Sequence, residues 1–113
     1  QIRELMEAAN PPDAAFCGND LIALGVFQYL GEAGVPVPEE FGVVGFDDVY
    51  FASLPQIQMT TVSQPRLKMG ALAVDTLINR IETGPETPIE HILLEPHLVI
   101  RKSTCIAQTK TTN

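Results

Sequence analysis

Two polar pairs hold the residues best suited to chemistry in this sequence. Asn19-Asp20 comes just after the apolar run Ala14-Ala15-Phe16-Cys17 and Gly18, and Asp47-Asp48 follows Val43-Val44-Gly45-Phe46. In open parallel α/β sheets, ligands bind outside the carboxyl ends of the strands. If both apolar runs are parallel strands, both pairs emerge on one edge. An amide both donates and accepts and a carboxylate accepts, a combination that suits a polyhydroxylated or heterocyclic ligand. One charged acceptor on a ligand hydroxyl contributes about 1.5–3 kcal/mol. Each pair also has a plainer reading. Helix capping is the preferred reading for Asp20 and stands level with ligand contact for Asn19. For Asp47-Asp48 the alternative is a solvated turn, or a cap on a following helical turn.

Other chemistries find less support. A metal-bound aspartyl phosphate site needs carboxylates from two strands and a well-placed lysine, and the nearest lysine, Lys68, lies beyond the next strand. Gly42 to Gly45 is not a dinucleotide-binding fingerprint opening a helix. No nucleophile–base pair can be named, so catalysis is not expected. Cys17, Cys105, His91 and His97 do not form a metal-ligand pattern, and no metal or cofactor is expected. Both cysteines read as reduced thiols, Cys17 as a small core residue. Met59 and Met69 read as core filler.

The elements that must position the polar pairs follow from periodicity and breakers. A helix-like stretch, Gln1 to Ala9, is stopped by Pro11-Pro12. The run Ala14 to Cys17 reads as a buried strand. A helix from Asp20 to Ala33 ends at Gly34, with Ile22, Val26, Tyr29 and Ala33 as its apolar face. Leu24 and Phe27 lie off that face, which points to a second covered surface. Pro36 and Pro38 sit in a loop. Val43 to Phe46 reads as a parallel strand buried on both faces, completing a right-handed βαβ unit. Residues 49–59 read as an irregular loop, and Met59 to Ser63 as a strand. Pro65 precedes a long helix, Arg66 to Thr83, with a stripe of Leu67, Gly70, Ala71, Val74, Leu77, Ile78 and Ile81, ended by Gly84-Pro85. A strand-rich stretch, Ile92 to Arg101, is interrupted by Pro96, and Cys105 to Asn113 reads as a polar, flexible tail.

The chain has 113 residues, enough for one small domain, and 45% are hydrophobic, which supports a packed core. The net charge of −7, with no cluster of lysine and arginine, repels phosphate, so this segment is not expected to hold DNA by itself. No apolar run approaches membrane-spanning length. The chain opens inside a helix-like stretch and not with Met, and is read as part of a longer protein.

The order of motifs resembles the lactose-repressor/galactose-repressor family of transcriptional regulators. Phe16-Cys17-Gly18-Asn19-Asp20 with Ala23-Leu24-Gly25 is similar to the family's "ND…ALG" segment. Gly34-Val35-Pro36-Val37-Pro38-Glu39 resembles its "G-x-x-V-P" loop, and Val43 to Asp48 its "VVGFDD" strand. Thr60-Thr61-Val62-Ser63-Gln64-Pro65 with Met69-Gly70 resembles "LTTV-x-Q-P…MG". Leu94 to Thr104 is similar to the terminal "L-x-P-x-LV-x-R-x-ST". Five motifs in order cover nearly the whole chain.

That resemblance implies an α/β, periplasmic-binding-protein-like (type I) core, present in part, with a parallel sheet flanked by helices. Residues 1–59 would belong to the C-terminal effector-binding subdomain and 60–65 to a hinge crossover. The helix in 66–84 would pack on an N-terminal subdomain outside this sequence, and 85–104 would return as a strand segment before the tail, 105–113. It implies a sensor of a small polar effector, a sugar or sugar derivative, that allosterically controls the DNA affinity of a cytoplasmic repressor. Asn19 and Asp47 match effector-contacting positions, and Gln64 and Arg66 match positions beside the cleft; Arg66 replaces the bulky apolar residue frequent there. The resemblance further implies a homodimer through Leu24, Phe27, Tyr50, Phe51 and Leu54, and operator contact through an upstream helix-turn-helix. A transporter's sugar-binding protein is the competing reading, and a doubly wound enzyme the third.

Overall fold

The computed structural model describes residues 2–86 and 88–104, which form two compact units. The first runs to Ser63 and resumes at Leu98; the second is Gln64–His97. The expectations for Cys105 and for a tail at 105–113 lie outside the described residues.

The first unit holds helix α1 (Ile2–Met6), strand β1 (Ala14–Phe16), helix α2 (Asp20–Ala33), strand β2 (Gly42–Phe46) and strand β3 (Thr60–Ser63). A short 3-10 turn, Tyr50–Ser53, interrupts the loop between β2 and β3. Strand β4 (His97–Val99) completes a four-stranded sheet in the order β1-β2-β3-β4. β1 pairs with β2, and β2 with β3, both in parallel. The core is Cys17, Ala23, Val26, Leu30, Phe41, Val43, Ala52 and Met59. Each of its large side chains contributes about 1.5–3 kcal/mol by leaving water.

Four expectations need correction. Helix α1 stops at Met6, short of Ala9, and Ala8 turns back onto the Leu5 carbonyl instead of continuing the helix. The apolar run of β1 is not fully buried: it is an edge strand, and Phe16 is 68% exposed, its ring edge-on to Phe46 at 6.5 Å. β2 is fully covered on one face only, by way of Val43 and Gly45; Gly42, Val44 and Phe46 on the other face are half-buried. The buried face of α2 is Asp20, Ala23, Val26 and Leu30, so it is rotated from the expected one, and Ile22 is 56% exposed. Reading from bulky residues misplaced the face because one of its fully buried positions is a small alanine, Ala23.

Helix α2 ends as its sequence indicates. Gly34 takes φ 71°, a left-handed conformation that costs glycine little, and Val35 N–H donates to the Leu30 carbonyl. The Val37–Pro38 peptide is cis.

Residues 101–104 add no strand but fasten the start of the sheet. Ser103 Oγ accepts from Thr60 N–H and donates to the Val43 carbonyl, while its own carbonyl accepts from Val43 N–H. The C-terminal segment thus completes the ladder below the point where β3 begins.

The second unit contains helix α3 (Arg66–Thr83), ended at Gly84. None of its residues is buried, and Leu67, Val74, Leu77, Ile78 and Ile81 are exposed along it. Residues 88–94 border α3, leaving open grooves of about 310 and 460 Å³. The expected returning strand is confined to His97–Val99.

Candidate ligand-binding site

The register of the sheet aligns the polar residues at its carboxyl edge. Phe16, the last residue of β1, pairs with Val44, and Asn19 and Asp47 follow that pair by three residues on each chain segment. Phe46 pairs with Val62, so Asp47 stands level with Ser63, and Asp47 N–H donates to the Val62 carbonyl at 2.9 Å. Asn19 and Asp47, both half-buried, therefore follow neighbouring strands on one edge.

Asn19 is the N-cap of α2. Its backbone is extended and its Oδ1 accepts from Ile22 N–H at 2.8 Å. That bond settles which end of the amide is which, because only the oxygen can accept there. Among the described residues Nδ2 makes no hydrogen bond, so Asn19 presents donors outward.

Asp20 is not the cap, contrary to its preferred sequence reading. It is 1% exposed; Oδ1 accepts from the Thr61 hydroxyl at 2.5 Å and Oδ2 from Val49 N–H at 2.8 Å. The carboxyl joins the start of α2 to β3 and to the loop after β2. It comes so close to Gly45 that a Cβ there would collide with Asp20 Oδ1 and lie 2.7 Å from Met59 Sδ. The glycine in the β2 run is required by this approach.

Asp47 and Asp48 both have positive φ, 108° and 52°. Such conformations cost non-glycine residues about 1–3 kcal/mol each and persist where surrounding structure over-determines them. Here Asp47 N–H is held by the Val62 carbonyl and Val49 N–H by the Asp20 carboxylate, and Asp48 N–H lies 3.4 Å from Thr61 Oγ1. Asp48 Oδ1 meets Arg101 Nη2 at 2.7 Å, and Arg101 Nη1 donates to the Met59 carbonyl at 2.9 Å.

Gln64 and Arg66 belong to the second unit. Gln64 is half-buried; Arg66 is exposed in the first turn of α3, and its N–H donates to the Gln64 carbonyl at 2.8 Å. Of the residues expected at a dimer surface, Tyr50 is 82% exposed and Leu54 is exposed, while Leu24 is half-buried. Phe27 and Phe51 are half-buried and pack against the core, so neither is simply surplus apolar surface. The large apolar residues most exposed on α2 are Leu21 and Ile22.

Among the described residues, no group of three His, Cys, Asp or Glu side chains is placed to hold a metal ion. Cys17 is buried, and burial raises its thiol pKa above the ordinary 9.0. Sequence reasoning missed the roles of Arg101, Thr61 and Ser103; the only signal was their place in motifs, with nothing local to show their distant partners.

The model of the periplasmic-binding-protein-like domain family matches residues 1–104. The chain is similar to the ribose operon repressor of Escherichia coli (strain K12), with 40% identity over 102 residues, 90% of this chain and 31% of that protein. Among solved structures, it is similar to a LacI transcriptional regulator from a Rhodococcus species, with a TM-score of 0.84 and 38% identity over 91% of this chain and 37% of that one. It is also similar to a LacI family transcriptional regulator from Enterococcus faecium with bound ribose, with a TM-score of 0.77 and 30% identity over 91% of this chain and 37% of that one. The chain spans about a third of the length of the relatives it matches.

Proposed function

Because the chain belongs to the lactose-repressor/galactose-repressor family, through its periplasmic-binding-protein-like domain, we propose that it is part of the effector-sensing core of a transcriptional repressor. The effector is a sugar or similar small polar molecule. The observation that carries this reading is the alignment of Asn19 and Asp47 at the carboxyl edge of the sheet. Asn19 offers donors there because its oxygen is committed to the helix cap, and the Asp47 carboxylate offers acceptors. The complementary ligand presents an oxygen lone pair to one and a hydroxyl proton to the other, as a sugar does with adjacent hydroxyls or a hydroxyl and a ring oxygen.

The rest of the proposed mechanism follows from the family resemblance. Gln64 and Arg66 are proposed effector-binding residues on that resemblance. The exposed stripe of α3 is covered by an N-terminal subdomain. The whole protein dimerises through the surface around Leu24, Tyr50 and Leu54, and works in the cytoplasm. Operator DNA is held by an upstream helix-turn-helix, in keeping with the net charge of −7 here. Effector binding biases the core between states of different DNA affinity and involves no bond chemistry.

The test is calorimetry on the full-length protein with a panel of pentoses, hexoses and disaccharides that includes ribose. At least one sugar should bind, and Asp47→Ala should abolish that binding. No binding across the panel, or unchanged binding in Asp47→Ala, overturns the reading.

A further inference from the structure

We infer that Arg101 and Asp48 are positioning residues for the effector site: their ion pair holds the turn from Asp47 to Val49 in the shape that presents Asp47. The inference rests on the proposed role of Asp47. Asp47 lies between the last residue of β2 and an aspartate that also has positive φ, so its carboxylate direction depends on the turn holding an unfavourable backbone conformation. Side chains from distant parts of the chain fasten that turn, with Thr61 Oγ1 3.4 Å from Asp48 N–H and two shorter bonds beside it. Asp20 accepts from Val49 N–H at one end. Arg101 grips Asp48 in the middle, while its other terminal nitrogen is tied to the Met59 carbonyl and its N–H to Thr60 Oγ1. The guanidinium is thus fixed to the start of β3 before it reaches the aspartate, a rigid two-armed fork that a lysine ammonium cannot reproduce. Removing the fork takes away the charged, 2.7 Å hold on the middle of the turn and leaves the longer contact from Asp48 N–H to Thr61 Oγ1.

Arg101 does not touch the ligand in this scheme, and its effect is on affinity. The experiment compares full-length wild type with Arg101→Lys, Asp48→Asn and Asp47→Ala. It measures the Kd for the tightest-binding sugar of the panel, the thermal midpoint, and amide exchange at residues 47–49 in the free protein. Groups that orient metal ligands set the scale, and by that analogy the Arg101 and Asp48 variants should each weaken sugar binding about tenfold. The 47–49 amides should exchange faster than in wild type, and the fall in affinity should exceed anything the thermal midpoint explains at the assay temperature. If both variants bind sugar as wild type does while Asp47→Ala does not, Arg101 and Asp48 are structural only and the inference is overturned. If Asp47→Ala also binds normally, or no sugar binds, the site reading itself fails and takes the inference with it.

Discussion

Asp20 and Thr61, forty-one residues apart, meet at 2.5 Å in the buried seam between α2 and β3. The same carboxyl reaches Val49 N–H, so one side chain serves two donors, the Thr61 hydroxyl fully buried and the Val49 N–H partly so. Losing a partner leaves a buried donor unsatisfied at about 1–3 kcal/mol. Asp20→Ala should therefore destabilise the protein by roughly 2–4 kcal/mol in denaturant titration, allowing for some relaxation. Asp20→Asn should cost less, near 1 kcal/mol, because the Thr61 hydroxyl can rotate to accept from the new amide. Equal midpoints for Asp20→Ala and wild type would refute the buried clamp.

Asn19 has two separable jobs, one for each end of its amide. Asn19→Asp retains a good N-cap, so its thermal midpoint should stay near that of wild type. It removes the donors and sets a second carboxylate on the sheet edge that carries Asp47, so sugar binding should be lost. Asn19→Ala should lose binding and also about 1 kcal/mol of stability. Sugar binding by Asn19→Asp at wild-type strength would show that the donors are not used.

The proposed dimer surface makes its own demand. Leu24→Arg in the full-length protein would place an unpaired charge in the contact and should give monomers in sedimentation. A sedimentation coefficient still that of a dimer would move the interface elsewhere, with the exposed pair Leu21 and Ile22 the next place to look.

Cys17 has a pKa raised by burial, so the folded state favours the neutral thiol. Below the ordinary value of 9.0 the thiol is neutral in both states and its contribution to stability is fully present. Above it the unfolded chain ionises first, and that contribution is lost as pH rises through the folded value. From about pH 8 to about pH 10, wild type should lose more urea resistance than Cys17→Ala. A parallel decline in the two proteins would contradict the assignment.

Some of this was legible because it is local. Asn19, Gly34 and Pro65 punctuate helices wherever such residues stand, and the span Arg66–Thr83 follows from a long stripe closed by Gly84. The Asp47-Asp48 pair was legible as a strand end, though its positive φ values were not. The face of α2 was misread because one of its fully buried positions is Ala23, and an alanine carries little hydrophobic signal of its own.

The sequence by itself determined the order of elements, the α/β class, the family motifs and the two polar pairs, since all of these reside in neighbouring residues and short periods. Only the tertiary structure decided which member of each pair does what. Asp20 became a buried clamp, Asn19 the cap, and Asp48 the partner of Arg101 fifty-three residues away. A carboxylate's role depends on which donors surround it and whether water is present. Those donors are brought together by strand register and chain return, across separations at which local pattern carries no information.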